Sequence, residues 1–487
     1  MTHDGLKAID RRAFLSGTTG ALAASLLPGS ATSGDAKRRL VLAETQASLV
    51  GSGHPKTRVW SYNGTVPGPE LRFKQGERLQ IEVENRLPQE TTVHWHGIRL
   101  PNAMDGVPHL TQQPIARGGK FVYAFDLRDA GTYWYHPHML SSEQVGRGLY
   151  GPLIVEEREP IRVDRELTWV LDDWRLRPDA QIDDGFGNMM DASHAGRIGN
   201  TVTINGRVPD TVAVRRGERI RLRLINAANA RIFGLEFAGH EPIVIAYDGQ
   251  PVDPHRLKQR RLDLGPAMRA DLVIDMMGKP GERFTLTDSF YRRQAYKLVD
   301  LVYGSESLRE TRLDATFALA ANTMPEPDIG NAVRHDIVFQ GGMMGMMVER
   351  QMGGGSGSGM GMGGMGGGMG SMRDMMHSGR IWRINGVAAE GHVMKPMLTL
   401  ERGKSYVLAM TNMTAWPHPI HLHGHSFRVI SRNGAPTRDR EWLDTVLMSS
   451  RERVEIAFVA DNPGDWMFHC HILEHQAAGM MGVIRVA

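Results

Sequence analysis

The sequence predicts an all-β protein made of three consecutive β-sandwich domains. The chain has 487 residues. Once an N-terminal leader is set aside, roughly 450 residues remain, too many for a single hydrophobic core. One strand–turn–strand pattern occurs three times along the chain, which is typical of a repeated domain. Short alternating strands separated by Gly, Pro and Asn are typical of β-sandwiches.

The repeated unit consists of a strand, a turn at glycine, an alternating strand and a final asparagine. Its three copies span Leu71–Asn85, Val212–Asn226 and Leu398–Asn412. An Asn-Gly pair precedes each copy, at 63–64, 205–206 and 385–386. A further alternating strand follows each copy, at 121–127, 270–275 and 453–459. We therefore expect domains at 37–158, 159–312 and 313–487.

The first 36 residues have the layout of a secretory signal peptide. The pair Arg11-Arg12 precedes Phe14-Leu15 and a short apolar run that ends in small residues. The paired arginines resemble a twin-arginine signal, and cleavage after Ala31 or Ala36 fits equally well. The run is too short to span a membrane, and no other segment qualifies. We expect a periplasmic protein without a membrane anchor.

The net charge argues against a nucleic-acid partner, and the cysteine content excludes a disulfide within the chain. The formal net charge is only +3, and no basic stripe interleaved with aromatics is present, so we expect no nucleic-acid partner. Cys470 is the only cysteine, so no disulfide can form within the chain. We expect a monomer.

The stretch from His469 to Met480 is the centre of the functional prediction. Asp465–Phe468 has the pattern of a buried strand, and side chains alternate faces along a strand. His469 and His471 should therefore point one way and Cys470 the other, so that one segment serves two metal centres. A thiolate, two imidazoles and a weak thioether are the ligands of a blue copper site. His475 and Met480 follow closely enough to supply one imidazole and the thioether.

Three further histidine clusters lie at corresponding places in the first and third repeats. The first repeat contains His94-Trp95-His96 and His136-Pro137-His138, and the third contains the run from His418 to His425. A single such pair is weak support for a metal site, but matched clusters in two repeats are strong support. The middle repeat lacks these histidines where the ligands would fall, so we interpret it as a metal-free spacer.

The sequences HWHG, YHPH, HPIHLHGH and HCHILEHQAAGM, in this order, resemble the copper-binding motifs of the multicopper oxidases over essentially the whole mature chain. The resemblance implies three cupredoxin-like Greek-key domains and four copper ions, one type 1, one type 2 and two type 3. It implies that the type 1 copper is bound by His418, Cys470, His475 and the axial Met480. It implies that the type 2 copper is bound by His94 and His421. The type 3 pair would be bound by His96, His136 and His471 on one ion and by His138, His423 and His469 on the other.

The chemistry of oxygen reduction also needs protons, and a carboxylate near the copper cluster is the natural relay. Asp105, in Met104-Asp105-Gly106, matches the position of the family's acidic residue, although an Asp before Gly is also a common turn former. Bacterial relatives often have Glu after the last histidine ligand, whereas this chain has Gln476. An amide cannot relay a proton, so a second acidic relay is not expected there.

A Met- and Gly-rich run spans residues 343–376 and contains twelve methionines. Such a composition cannot form a packed core, so we expect a mobile loop of the third domain. Thioethers select Cu(I), and the run resembles the inserts of periplasmic cuprous oxidases. The alternatives are an insert without function and an apolar lid. Those enzymes have Asp and Met before the first ligand of the third domain, whereas Thr414-Ala415-Trp416-Pro417 stands here.

Together these features predict an exported oxidase that couples one-electron oxidation of a substrate to the reduction of O2 to water. The favoured reductant is Cu(I), in copper tolerance, and the alternative reductant is a phenol, as in a laccase. A protein that sequesters copper without turnover, or a metal-free structural relative, is a further alternative. The metal-free relative is disfavoured because all twelve proposed ligands are present.

Overall fold

The three repeats fold as three pairs of β-sheets in the computed structural model, which describes residues 38–257, 260–314, 316–352, 379–391 and 395–487. The prediction of an all-β protein built from three cupredoxin-like sandwiches is confirmed. The predicted signal peptide lies outside the described residues. In the described part of the chain, no helix is both long and apolar enough to cross a bilayer.

The first pair of sheets has the strand orders β2-β1-β4-β6 and β3-β8-β7-β5. Its strands are β1 (Arg38–Ala47), β2 (Thr57–Tyr62), β3 (Leu71–Lys74), β4 (Arg78–Asn85), β5 (His94–His96), β6 (Lys120–Asp126), β7 (Gly131–His136) and β8 (Gly151–Glu156). Alternate residues of β4, Leu79, Ile81 and Val83, are fully buried, as the period of a half-buried strand requires. β5 pairs with β7 so that His94 lies opposite His136.

The second pair of sheets has the orders β10-β9-β12-β17-β14-β15 and β11-β19-β18-β13-β16. Its strands are β9 (Arg165–Trp174), β10 (Thr201–Ile204), β11 (Thr211–Val214), β12 (Glu218–Asn226), β13 (Phe233–Phe237), β14 (Ile243–Tyr247), β15 (Gln250–Arg256), β16 (Arg261–Leu264), β17 (Arg269–Met276), β18 (Arg283–Asp288) and β19 (Tyr296–Tyr303). Both faces of β12 are buried. Its Arg221 is neutralised by Glu157 and Asp271, as a buried charge requires.

The third pair of sheets has the orders β21-β20-β23-β29-β25-β26, with β27 on β25, and β22-β31-β30-β24-β28. Its strands are β20 (Val333–Gly341), β21 (Trp382–Ile384), β22 (Leu398–Leu400), β23 (Ser405–Asn412), β24 (His418–Leu422), β25 (Phe427–Arg432), β26 (Ala435–Pro436), β27 (Trp442–Leu443), β28 (Thr445–Met448), β29 (Arg453–Val459), β30 (Gly464–Cys470) and β31 (Met481–Val486). β24 and β30 pair so that His421 lies opposite His469.

The Asn-Gly pairs that precede each repeat are tight turns. All six residues have positive φ, between 49° at Asn385 and 80° at Gly64 and Gly386. Two successive left-handed residues form the two-residue turn whose twist matches that of the flanking strands, and Asn-Gly is the preferred sequence there. The same tight Asn-Gly turn therefore precedes each of the three repeats.

Helices are short and few among the described residues. They are α1 (Ser141–Gly146), α2 (Met189–Ser193), α3 (Gly345–Met352) and α4 (Leu473–Ala477), with a 3-10 turn at Asn102–Met104. α3 falls within the Met-rich run, so the prediction of a mobile loop is wrong for this part. The reason is Val348, the one β-branched residue of the run, which is buried and anchors the helix. The rest of the run, 353–376, lies outside the described residues.

Candidate metal centre

Two groups of buried metal-ligating side chains lie on opposite sides of the end of β30. One group contains Cys470 with His418 and His475, and the other contains His469 and His471 with six further histidines. The division follows from strand geometry, because adjacent side chains of β30 point to opposite faces. β24 contributes in the same way. His418 and His421 are three positions apart on β24, so their side chains face opposite sides of the sheet.

The first group has the spacing of ligands that share one ion. The Cys470 Sγ lies 3.4 Å from His418 Nδ1 and 3.7 Å from His475 Nδ1, and the two Nδ1 atoms are 3.1 Å apart. Nitrogens that bind one tetrahedral ion at about 2.0–2.1 Å are separated by about 3.3 Å. All three side chains are buried, and Trp382 packs its ring against both imidazoles.

Met480 borders this group through the main chain. Its backbone N–H donates to the His475 carbonyl at 3.0 Å, and its carbonyl accepts from the Cys470 N–H at 3.1 Å. The side chain is fully buried. The short helix α4, which begins two residues after His471, turns the chain so that His475 and Met480 return to Cys470.

The second group contains eight histidines in three sets, two of which share His96. The sets are His94, His96 and His421, then His96, His136 and His471, and finally His138, His423 and His469. In each set one candidate ligand atom per residue lies within 4.8 Å of the others. The rings come from the first and third sandwiches, and two contacts stack rings across the boundary, His94 on His423 and His96 on His421.

Several ring nitrogens of the second group have no hydrogen-bond partner within the described part of the chain, although they are buried. They are Nε2 of His94, His136 and His421, Nδ1 of His96 and both nitrogens of His471. An unpaired buried polar atom is costly, and so many in one place indicate a missing partner. Imidazole nitrogens suit copper, so the donor set fits copper ions.

The opposite nitrogens of these rings are held by the protein. His94 Nδ1 contacts the Asp105 carbonyl, His136 Nδ1 the Pro137 carbonyl, and His421 Nδ1 the Asp444 carbonyl, at 2.8, 3.0 and 2.8 Å. The same pattern holds in the first group. His475 Nε2 donates to the His194 carbonyl at 2.7 Å, and His418 Nε2 contacts Thr414 Oγ1 at 2.8 Å. Such contacts fix the tautomer and orientation of metal-binding histidines.

Burial sets the protonation of these groups. It lowers the pKa of His96, His136, His418, His423 and His471 well below the usual value. It lowers the pKa of His475 to about 3. These imidazoles are therefore neutral at physiological pH, as metal ligands must be. Burial also raises the pKa of the Cys470 thiol, so its thiolate needs a cation to form.

Asp105 lies against the second group rather than in an exposed turn. Its Oδ2 is 2.8 Å from His423 Nδ1, and its Oδ1 is 3.2 Å from His94 Nδ1. The carboxylate is buried. It follows the 3-10 turn, and a Cβ on Gly106 would overlap the backbone of Val93. Asp105 therefore touches two candidate ligands from two different sandwiches.

Three residues that contact candidate ligands stand in no motif that could have predicted them: His194, Thr414 and Asp444. Arg269 is a fourth such residue, but it contacts Asp444 and not a ligand. Asp444 Oδ1 lies 3.1 Å from His96 Nε2 and is paired with Arg269. Burial raises the pKa of the Asp444 carboxyl, but Arg269 and His421 outweigh it, so the pKa lies below its usual value. Gln476, which stands where bacterial relatives often have Glu, is buried, and its amide oxygen has no hydrogen-bond partner in the described part of the chain.

Three family models, each described as "Multicopper oxidase", match residues 44–160, 165–312 and 370–487 of the chain. Among curated proteins, multicopper oxidase MmcO of Mycobacterium tuberculosis is 31% identical over 89% of this chain and 84% of its own. Copper resistance protein A of Escherichia coli is 27% identical over 98% and 99%. Laccase-1 of Botryotinia fuckeliana is 29% identical over 91% and 80%.

Solved structures agree with the sequence comparisons. A multi-copper oxidase from Pseudomonas thermotolerans superposes with a TM-score of 0.78 at 33% identity, over 93% of this chain and 99% of that one. The similarity therefore covers all three pairs of sheets and both groups of candidate ligands.

Proposed function

Because this chain belongs to the multicopper oxidase family, we propose that it oxidises Cu(I) and passes the electrons to O2. The overall reaction consumes four Cu(I), one O2 and four protons, and it yields four Cu(II) and two molecules of water. The domain boundaries at 37–158, 159–312 and 313–487 are part of this proposal. So are a twin-arginine signal in residues 1–36, a periplasmic location and a monomeric state.

We assign four copper ions to the two groups of ligands. His418, Cys470, His475 and Met480 bind the type 1 ion, and His94 and His421 bind the type 2 ion. His96, His136 and His471 bind one type 3 ion, and His138, His423 and His469 bind the other. Bound copper supplies one-electron storage and the reduction of O2. The spacing within each group and the unpaired nitrogens support this assignment.

The chain itself joins the two groups. Cys470 is bonded through the backbone to His469 and His471, so a covalent path leads from the first group to the second. His469 Nδ1 contacts the Cys470 carbonyl at 2.9 Å, which adds a hydrogen bond beside that path. Burial of both groups excludes bulk water from the connection.

Asp105 is the proton relay in this proposal. Its Oδ2 faces His423 Nδ1 and its Oδ1 faces His94 Nδ1. A carboxylate in this place can take up a proton and release it toward the second group. Gln476 cannot do so. Asp444 also adjoins two ligands, but it is paired with Arg269, so we assign the relay to Asp105.

The observation that favours Cu(I) as substrate is that the Nε2 atom of His475 is covered by the main chain at His194. In an exposed site the outer nitrogen of such a histidine faces the substrate, but here Nε2 donates to the His194 carbonyl. A bulky phenol therefore cannot contact the ring directly. Met343 N–H donates to the Ser193 carbonyl, so the Met-rich run starts next to the segment that contains His194. Exposed methionines flank this contact in the sequence on both sides, Met190 before Ser193 and Met344 and Met347 after Met343.

A phenol is the second candidate substrate, because a curated relative of similar identity is named a laccase. The stretch before the first ligand also bears on the choice. Cuprous oxidases have Asp and Met in this stretch, whereas this chain has 414–417, and Thr414 contacts His418 Nε2. Cu(I) would thus reach the type 1 site by the α2 side rather than through 414–417.

The test is oxygen consumption by copper-loaded protein with Cu(I) and with 2,6-dimethoxyphenol as alternative reductants. We expect a kcat/KM at least severalfold higher for Cu(I), with one O2 consumed for every four Cu(I) oxidised. A higher value for the phenol would make the protein a laccase. Stoichiometric uptake of copper without oxygen consumption would make it a copper store.

A further inference from the structure

The middle sandwich supplies a fully buried cation to the boundary of all three sandwiches. Arg269 begins β17 and is 0% exposed. Its five N–H donors all have acceptors, which is the full capacity of a guanidinium. Two go to the Asp444 carboxylate, at 2.9 and 2.5 Å. The others go to the carbonyls of Thr132, Asp248 and Ala267.

These acceptors belong to different sandwiches. Thr132 lies on β7 of the first, Asp248 and Ala267 belong to the second, and Asp444 immediately precedes β28 of the third. A planar guanidinium with fixed donor directions can only satisfy this set when the three sandwiches are correctly packed. All of these Arg269 contacts, including the pair with Asp444, therefore form together only when the three sandwiches are assembled.

Asp444, whose position is fixed by Arg269, also contacts two candidate copper ligands. Its Oδ1 lies 3.1 Å from His96 Nε2, and its carbonyl lies 2.8 Å from His421 Nδ1. Thr445 closes the network, because its Oγ1 contacts Asp444 Oδ1, His96 Nε2 and His421 Nδ1 at 2.8, 3.2 and 3.1 Å. The remaining nitrogens, His96 Nδ1 and His421 Nε2, are the unpaired ones. The network thus selects which nitrogen of each ring faces the cluster.

The glycine of the HWHG motif is explained by the same pair. Gly97 has φ +85°, and a Cβ there would overlap both the Arg269 guanidinium and the Asp444 carboxylate. A side chain at this position would separate the two charges. Gly97 keeps the space between His96 and the Arg269–Asp444 pair open.

We infer that Arg269 is a positioning residue for the type 2 and type 3 copper ions, acting through Asp444 on His96 and His421. The inference rests on the copper assignment proposed above. The middle sandwich then orients ligands of its neighbours, although it supplies none itself. The type 1 ligands all come from the third sandwich and none of them contacts Arg269 or Asp444 among the described residues, so the blue site serves as an internal reference.

The test compares Arg269→Lys with Arg231→Lys in full-length, copper-loaded protein. Arg231 is the matched control, because it is also a largely buried arginine of the middle sandwich, is paired with Asp173, and has no contact with a candidate ligand in the part of the chain that the structure describes. Lysine keeps the charge but loses the five-donor fork. The readouts are the type 2 EPR signal per blue copper and a copper titration. We expect Arg269→Lys to lose type 2 signal severalfold and to bind cluster copper about 10- to 100-fold more weakly, with the control unchanged.

A second variant covers the case in which Arg269→Lys does not fold, which loss of the blue band would show. The double variant Arg269→Gln with Asp444→Asn removes both buried charges together, and we expect the same selective loss. Equal type 2 signal in the control and in the folded Arg269 variants would overturn the inference. Failure of the copper assignment is separate, because it would show as absent blue and type 2 signals in the unmodified protein.

Discussion

Four candidate copper-binding histidines, His94, His96, His136 and His421, have one nitrogen held by the protein and the other without a partner among the described residues. Main-chain carbonyls hold His94, His136, His421 and His475, and carbonyls move less than long side chains. This fixes the ring before a metal arrives, so the entropy of ordering the ligand is lost on folding rather than on binding. Two carboxylates also hold rings, Asp105 at His423 and Asp444 at His96.

Asp105→Asn tests the proton relay. We expect this variant to retain its copper ions and to reduce its blue site at the normal rate, but to turn over oxygen at least tenfold more slowly, because an amide cannot release a proton. The measurement is oxygen uptake together with stopped-flow reduction of the blue band. Asp129→Asn is the matched control, since Asp129 is also buried but is paired with Arg99. Normal oxygen turnover by Asp105→Asn would reduce Asp105 to a structural role.

Met480→Leu tests the axial ligand. Loss of a weak thioether donor to Cu(II) favours Cu(I), so the reduction potential of the blue site should rise while the colour remains. A redox titration of the blue band measures the change, with Met410→Leu as the control because Met410 is a buried methionine of β23. An unchanged or lowered potential would remove Met480 from the copper site.

At the scale of single residues, the sequence showed the candidate ligands but not their supports. The histidine pairs and Cys470 stand in short motifs, so they can be recognised without a structure. Asp444 and Arg269 are separated from His96 by more than 170 residues of chain, and no local pattern connects them. The Gly in HWHG was the available signal, since a required glycine indicates a close approach by another group.

At the scale of elements, strand alternation predicted that β30 would serve two sites, and the grouping of side chains agrees. The Met-rich run was mispredicted in part because composition alone suggested no anchor. Val348 is buried, and Met343 N–H donates to the Ser193 carbonyl, so the start of the run has contacts with the rest of the protein that its composition did not indicate.

Deletion of residues 353–376 tests the copper-delivery role of the Met-rich run. It removes seven methionines but leaves α3, Val348 and all proposed ligands. The protein should fold and stay blue, because a shorter loop costs little in closure entropy. We expect Cu(I) oxidation to fall severalfold and phenol oxidation to rise, both measured by oxygen uptake.

A variant with the seven methionines replaced by leucine is the control for that deletion. It keeps the length and apolar character of the segment but removes the soft donors. If thioethers deliver Cu(I), its Cu(I) oxidation falls as in the deletion while its phenol oxidation stays low. Unchanged Cu(I) oxidation in both variants would favour the laccase alternative.

At the scale of the whole molecule, the copper cluster should tie the first and third sandwiches together. Its eight histidines come from β5, β7, β24, β30 and the residues that follow them. A ligand that binds only the folded state stabilises it by about 2.7 kcal/mol when its free concentration is 100 times Kd. Removal of copper should therefore lower the thermal midpoint by several degrees, measured by calorimetry with and without a chelator. An identical midpoint for both forms would contradict a cluster between sandwiches.

The number of sandwiches could be predicted from the repeats, but their packing could not. The repeat pattern is local, since each Asn-Gly turn and its strands are continuous in sequence. The contacts that assemble the sandwiches, such as Arg269 to Asp444 or Glu474 to Asn229, join residues far apart in the chain. The middle repeat therefore looked like a spacer until its side chains were placed.

The most direct test of the account is the optical spectrum and copper content of Cys470→Ser beside the unmodified protein. A thiolate bound to Cu(II) produces the intense colour, and Cys470 is the only cysteine in the chain. We expect the unmodified protein to be intensely blue with four copper ions, and Cys470→Ser to be colourless while retaining the three ions of the histidine cluster. A Cys470→Ser protein that is still blue would contradict the assignment of the type 1 site.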